Sequence, residues 1–355
     1  MTENTTTYSQ DNFRLTGNLE FQILPELKLL TQYTYQRRKG EESSYASSNT
    51  QEGSGYWGDQ KGVGRWAYSA GQTMEFEGRL TYNKTFNEKH SLNALGAIVY
   101  NKDRQNNTYF KLRDFPDDEV QNGIWQGSDL VDYGGKGGSA VGSVMFSYIA
   151  RAEYKFMNRY LLTGTFRADG SSKFQKKNKW GYFPSAAVAW DVAKENFMSK
   201  QNIVQQLKLR ASFGVVGNQS IGAYTTLGML APTNYDGYGS DAIHTGYWTG
   251  NLATPDVTWE STYQYNIGLD ASVLDGRLSF TAEWFRKDTK DLLLRKPAPQ
   301  YNGGGSFWVN QGEVRNSGVE FTITATPLTD KDIFGWETSL NASYCLLYTS
   351  PSPRD

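Results

Sequence analysis

His90 and His244 are the two histidines of this 355-residue chain, and Cys345 is its one cysteine. Metal ligands recur at short fixed intervals, and these residues do not. His90 is expected in a turn and His244 in a loop. One Cys leaves neither a disulfide framework nor a cysteine metal site. No G-x-S-x-G, H-E-x-x-H or phosphate-loop pattern occurs. A retaining glycosidase needs two carboxylates about 5 Å apart in a cleft. The chain has many Asp and Glu, but their spacing points to no such pair, and each reads as a solvated charge. No catalytic residue, metal or cofactor is expected, and the chain is not expected to be an enzyme. What the composition offers instead is rings: 14% of residues are aromatic, with 23 Tyr and 10 Trp. Trp57, Trp66, Trp125, Tyr247, Trp248 and Trp308 fall in expected loops, where an amphipathic ring can stack on a sugar. Each could equally pack within its own loop.

The elements that must position these loops are strands. Phe13, Leu15, Gly17, Leu19, Phe21 and Ile23 alternate with polar residues, and Pro25-Glu26 turns the chain. Met74, Phe76, Gly78, Leu80 and Tyr82 repeat the pattern, and so do Val144 to Phe156 and Tyr160 to Ala168. Alternation of this kind gives a strand one apolar and one polar side. Further runs pass through Val188, Leu209, Ile267, Trp284, Phe321 and Leu340. Asp275-Gly276 is a strong hairpin signal, because Gly accepts positive φ. One helical turn is expected at 194–198. About twelve strands result, many of ten or more residues, against an ordinary mode of five to six.

Connections alternate in length. Short ones are expected at 24–26, 87–90, 157–159 and 274–277, and long ones at about 37–71, 102–142 and 217–261. A meander with one turn-like end and one loop-rich end is the pattern of outer-membrane β-barrels. Aromatics near strand ends, such as Phe156, Tyr160, Trp190 and Trp284, suit the two water interfaces. Glu77, Arg79, Arg151, Glu153, Arg167, Arg210 and Asp270 share the opposite faces; a wet lumen solvates them, whereas a dry interior would not. The alternative is a soluble β-sandwich or propeller, whose strands also alternate.

No run of about eighteen apolar residues exists, so no transmembrane helix is expected. Mean hydropathy is −0.61. That is compatible with a membrane barrel, whose strands show lipid only every second side chain. Net charge is −1, which leaves no basic excess for nucleic acid. The polar N-terminus carries no signal-peptide pattern. Either a cytoplasmic protein or a piece of a longer exported one is expected. Residues 345–355, Cys-Leu-Leu-Tyr-Thr-Ser-Pro-Ser-Pro-Arg-Asp, break the preceding alternation and resemble the translation of a transposase sequencing adapter. The expected division is therefore a partial barrel over 1–344 and an artefact over 345–355.

One segment reads Arg167-Ala-Asp-Gly-Ser-Ser-Lys-Phe174, then Lys179-Trp-Gly-Tyr-Phe-Pro-Ser185. With Leu207 to Gln219, Thr258 to Asp270, Leu278 to Leu294 and Asn316 to Glu320, it resembles the SusC/RagA family. These are TonB-dependent outer-membrane importers of Bacteroidetes. Together the motifs span about half the chain, and the joint match is specific. Lys173 stands where Arg is frequent in the family, and the likeness is weaker before Gly142. The signature positions are Asp169, Gly170, Ser171, Ser172, Phe174, Trp180, Gly181, Tyr182, Phe183, Pro184, Gly217, Asn218 and Gln219. Structural roles are expected for them. Gly170 could turn where a Cβ could not, and Ser171 and Ser172 could satisfy turn amides. Trp180, Tyr182 and Phe183 could pack the loop-to-strand edge. Pro184 could start a strand.

The resemblance implies an all-β, antiparallel transmembrane β-barrel, of which this chain would be a part: about twelve of roughly 22 strands. It implies short periplasmic turns, long extracellular loops and residence in the bacterial outer membrane. The implied partners are a SusD-like lipoprotein, outer-membrane lipid, an oligosaccharide or peptide substrate, and the TonB complex through a plug outside this chain. A passive porin-like or adhesin barrel, or a soluble glycan-binding β-protein, is the competing reading.

Overall fold

The computed structural model describes residues 4–54, 61–118, 127, 129–130, 136–236, 243–299, 305–328 and 335–350. Among the described residues seventeen strands follow one another: β1 (Asn4–Leu24), β2 (Leu27–Ala46), β3 (Val63–Phe86), β4 (His90–Arg113), β5 (Asp129–Leu130), β6 (Lys136–Phe156), β7 (Tyr160–Ser171), β8 (Trp180–Asp191), β9 (Val204–Asn218), β10 (Met229–Asp236), β11 (Ile243–Asn251), β12 (Glu260–Val273), β13 (Leu278–Lys290), β14 (Leu293–Pro297), β15 (Ser306–Asn310), β16 (Glu313–Leu328) and β17 (Trp336–Ser350). Twelve form one sheet in the order β1-β2-β3-β4-β6-β7-β8-β9-β12-β13-β16-β17, with β5 beside β4. Each pair described from β6 to β17 in that order is antiparallel. This is the wall of a partial antiparallel β-barrel. Among the described residues no helix is long and apolar enough to cross a membrane.

The chain divides into two compact units. The first comprises Met1–Leu19, Thr31–Glu77 and Tyr100–Val144, and the second Glu20–Leu30, Gly78–Val99 and Met145–Asp355.

In the second unit the register lines up the alternation. Tyr154, Leu162, Val188, Ala211, Ile267, Trp284 and Val319 lie side by side across seven strands. One row on the other face reads Arg151, Thr165, Ser185, Gly214, Gln264, Lys287 and Asn316. Leu162, Val188 and Ile267 are 52%, 51% and 58% exposed. A continuous apolar face left uncovered on this scale marks a membrane contact. The expectation of one greasy and one wetted side therefore holds.

The strands are longer than the alternation indicates. β1 starts nine residues before Phe13, β2 runs on to Ala46 and β4 to Arg113. The expected loop at 217–261 contains β10 and β11, which with β14 and β15 make a second, four-stranded sheet in the order β10-β11-β15-β14. Beyond hydrocarbon both faces of a strand meet water. The period-2 signal then fades, while the backbone ladder continues. β17 likewise keeps its pairing with β16 as far as Ser350, opposite Glu313.

The turns fall where Pro, Asn, Asp and Gly placed them. Asn87 and Glu88, then Met157 and Asn158, take positive φ at both central positions of their turns, which matches the twist of flanking strands. After β8 the expected helical turn is two 3-10 turns, Val192–Lys194 and Asn196–Met198. Between them Glu195 gathers three donors. Its Oε1 accepts from the Tyr160 hydroxyl at 2.6 Å and from Trp190 Nε1 at 3.1 Å. Its Oε2 accepts from Arg159 Nη1 at 3.1 Å. Phe156, Tyr160 and Trp190 stack in sequence, with centroids 6.2 and 6.4 Å apart. An aromatic girdle at the short-turn end is thus pinned by one carboxylate.

The two faces and the pinned girdle can each be tested. Ile267→Arg places a charge on the apolar face. It should destabilise the full-length receptor in vesicles by about 2–4 kcal/mol near the bilayer midplane, read by urea unfolding. Ser212→Arg, one register row away on the polar face, should cost far less; equal losses would refute the two-faced wall. The girdle gives a pH dependence. The Tyr160 hydroxyl, then the Trp190 ring N–H and Arg159, hold the Glu195 carboxyl below its ordinary 4.5. A lowered folded value stabilises above the unfolded one and is lost as pH falls through the folded one. Glu195→Gln should therefore lower the melting temperature at pH 7, and the difference from the parent should shrink progressively as pH falls below 4.5.

Candidate functional site: the polar wall and its loop-end knot

The polar face is built from charges that neutralise one another. Arg167 Nε contacts both oxygens of Asp169, at 2.8 and 2.7 Å, and its Nη2 reaches the fully buried Ser147 hydroxyl at 3.4 Å. Glu153 lies 3.1 Å from Lys155 and 3.6 Å from Arg151. Arg210 lies 3.3 Å from Asp270 and 2.7 Å from Glu283. Arg210, Gly268 and Glu283 are directly opposite one another on β9, β12 and β13. The guanidinium crosses over Gly268 to reach Glu283. A Cβ on Gly268 would meet Arg210 Cζ at 2.6 Å, so a side chain there would push the guanidinium off this path.

At the loop end of β8 and β9 a knot of buried apolar residues closes the wall. It comprises Phe174, Phe183, Ile221, Val257 and Trp259, with Val215, Leu293 and Trp308 against it. Trp259 meets Phe174 at 5.2 Å and Phe183 edge-on at 5.5 Å. The Phe183 ring fills the space above two glycines. A Cβ on Gly181 would lie 2.4 Å from it, and one on Gly217 2.0 Å. Polar bonds tie the incoming loops to the same knot. Gln175 Nε2 donates to Thr226 O at 3.0 Å, Thr226 Oγ1 to Lys173 O at 3.0 Å, and Trp259 Nε1 to Lys179 O at 3.1 Å. Glu260 accepts from Asn218 Nδ2 at 3.1 Å and from the Leu293 amide at 3.0 Å. Gln219 Nε2 lies 3.1 Å from Met145 Sδ, and its carbonyl receives Lys173 Nζ at 3.4 Å.

The signature residues thus divide. Phe174, Gly181, Phe183, Gly217, Asn218 and Gln219 converge on the knot. Asp169 pairs with Arg167. Ser171 is buried and its Oγ accepts from the Lys173 amide at 3.2 Å, while Ser172 is exposed beside it. Gly170 lies inside β7 without positive φ and not in a turn. It is small because the Trp180 ring lies against it, 3.1 Å from where a Cβ would be. Trp180 in turn stacks on Tyr148 at 5.9 Å, and Tyr182 on Phe166 at 6.2 Å. Pro184 does not start its strand: it is the fifth residue of β8. It pairs with Phe166 but precedes the first β8–β9 pair, Ser185 with Gly214, at the end of a ladder.

Trp57 and Trp125 lie outside the described residues. Trp66 is within β3, in the first unit, stacked between Tyr68 and Phe110, with its Nε1 donating to Glu41 Oε1 at 2.6 Å. Trp308 is in β15 and packs on the knot. Tyr247 and Trp248 are adjacent in β11 and keep exposed rings. In the first unit Tyr45 and Phe115 meet edge-on at 5.0 Å, with Trp66 and Leu112 packed against them. Above them Asp118 accepts from the Tyr45 hydroxyl, the Ser48 amide and the Ser48 hydroxyl at 2.8, 2.9 and 2.6 Å. The Ser48 hydroxyl, then its amide, hold Asp118 below the usual carboxylate range. His90 opens β4 and does not lie in the turn; its Nδ1 is 2.5 Å from the Tyr154 hydroxyl. Among the described residues no three His, Cys, Asp or Glu cluster as metal ligands.

Residues 1–354 match the family described as TonB dependent receptor-like, beta-barrel. This chain belongs to the TonB-dependent receptors. Its place is the outer membrane. TonB-dependent receptor P3 of Formosa agariphila is 31% identical over 351 residues, which is 96% of this chain and 33% of that protein. TonB-dependent receptor SusC of Bacteroides thetaiotaomicron is 36% identical over 58% of this chain and 21% of its own length. The chain thus spans a third or less of these curated relatives. Among solved structures, the RagAB peptide importer in its closed-closed state superposes with a TM-score of 0.86 at 22% identity, over 99% of this chain and 37% of that one. The outer membrane transporter YddB of Escherichia coli gives 0.63 at 12% identity, over 97% and 43%. These likenesses are of fold.

Sequence reasoning passed over Arg210, Gly268 and Glu283 as a unit, and Trp259 as the centre of the knot. Trp259 sits inside a motif that carried the resemblance, but its contacts, such as that to Lys179, span about eighty positions. The close fit of ring to glycine makes a test. Gly217→Val should lower stability by about 1–3 kcal/mol through overpacking against Phe183. It should also expose 219–228 to protease in the full-length receptor. Adding Phe183→Ala should restore protection in part; an unchanged digestion pattern in the single variant would show that the knot does not hold these loops.

Proposed function

We propose that this chain forms part of the conducting wall of a TonB-dependent importer of glycans or peptides. The supporting observation is the self-neutralised polar face backed by an apolar one. Charges that pair along a wall, rather than across a dry core, leave a hydrated path of low net charge. Such a path suits polar cargo and repels neither sign strongly. The knot at the loop end would hold the long loops in fixed positions, where a SusD-like lipoprotein and the cargo would meet them. Tyr247 and Trp248, with rings free, are the contacts best placed to stack on a sugar or an aromatic side chain. Release would be driven by the TonB complex acting on a plug outside this chain. No bond of the cargo is made or broken.

Deleting the full-length gene tests this. Growth and uptake on a panel of purified oligosaccharides and peptides should fall at least tenfold for one ligand class and stay normal for the others. Collapsing the proton-motive force should abolish that same uptake in the parent strain. Uptake that persists without the gene for every ligand offered would end the importer reading. Uptake that needs the gene but survives collapse of the gradient would point to a passive pore.

A further inference from the structure

At the loop end of β12, β13 and β16 the apolar face carries a polar cluster. Trp284, Arg286 and Asp288 follow one another on the same side of β13, opposite Ile267, Tyr265 and Tyr263 of β12. Asp288 is also paired with Arg315, the third residue of β16. Arg286 places its Nε 2.9 Å and its Nη2 2.8 Å from Asp288 Oδ2. Arg315 Nε lies 2.5 Å from Asp288 Oδ1. One buried carboxylate is thus held between two guanidiniums whose side chains remain 38% and 43% exposed. Lys290, two residues on, stands over the Tyr263 ring at 5.9 Å. Glu313 is the remaining charge of the group and acts on Arg315 through space. Three cations against two carboxylates leave one positive charge over.

Charges on the lipid side of a barrel are unfavourable in the bilayer interior and tolerated near its surface. These lie in the last residues of β13 and the first of β16, at the end of the wall where the long loops begin. Both oxygens of Asp288 are engaged by its two neighbours, which fixes their planes, and each guanidinium keeps N–H groups that do not point at Asp288. Two fixed guanidinium forks suit phosphate oxygens, and Arg binds them in a bidentate way. The rows beneath, Tyr265, Trp284 and Ile267, offer apolar surface to acyl chains. We infer that Arg286 and Arg315, oriented by Asp288, bind the phosphate of a phosphorylated glycolipid in the outer leaflet. The lipid would seat its chains along Trp284 and Ile267. This site is on the outer surface of the wall and is separate from the path for cargo.

The test uses the full-length receptor, purified in non-ionic detergent and followed by native mass spectrometry after incubation with a monophosphorylated lipid A. The parent protein should retain one glycolipid per chain. The double variant Arg286→Ala, Arg315→Ala should retain at least tenfold less, while heat-modifiable gel migration shows it folded. If that pair fails to fold, Arg286→Lys with Arg315→Lys decides: charge is kept, the forks are lost, and retention should fall about threefold or more. Dephosphorylated lipid A should bind at least tenfold more weakly than the phosphorylated form. Equal retention by parent and variants, or none by the parent, would overturn the site. Inorganic phosphate binding as tightly as the lipid would overturn its assignment to a lipid. Lipid retention is read without cargo, so its failure is distinct from failure of the import reading.

Discussion

Hydrocarbon offers no partner to a backbone N–H or C=O, so a strand that crosses it must find both in its neighbours. That condition sets the rest of this protein. It demands long antiparallel strands joined in sequence order, which is the order of the main sheet. It also forces every side chain onto one of two faces. A side chain facing the hydrocarbon interior must be apolar, and one facing the lumen must be content with water. The row through Leu162, Val188 and Ile267 and the row through Arg151, Gln264 and Lys287 are the two consequences of a single ladder.

A wall one sheet thick has little interior, and the few buried groups sit where loops return onto it. Phe174, Phe183, Ile221, Val257 and Trp259 make the one sizeable apolar cluster described in the second unit. Its fit rests on two glycines, because the Phe183 ring needs the volume that a side chain at Gly181 or Gly217 would take. The same economy operates at Gly268, where the missing side chain lets Arg210 span a strand to Glu283. In both places glycine acts through close approach rather than through positive φ.

The ends of the wall differ in how they are held. At the short-turn end Tyr160 and Trp190 present apolar rings to the membrane and hydrogen-bond donors to Glu195. Such residues settle at interfaces because one end is greasy and the other polar. At the loop end the strands outrun the membrane, and bonds such as Tyr45 of β2 to Asp118 and the Thr258 amide to Asn310 of β15 knit loops to strands. Membrane contact and loop anchoring are thus divided between different residue sets.

Alternation, turn residues and the resemblance made the barrel wall, its short turns and its family legible in the sequence. Phe156, Tyr160 and Trp190 could be placed near strand ends from the pattern alone. These features are local: a strand's two faces are set by side-chain order within about ten residues. The long strand extensions and the second sheet were not legible, because wet strands lose their alternation and the ladder that holds them is made of backbone. The Gly268 crossing, the Phe183 seat and the Arg286–Asp288–Arg315 cluster depend on register between strands distant in sequence. Register is decided only when the sheet assembles, since sliding one strand by a residue would exchange its faces. The sequence by itself therefore determined which side chains share a face; only the tertiary structure decided which of them touch.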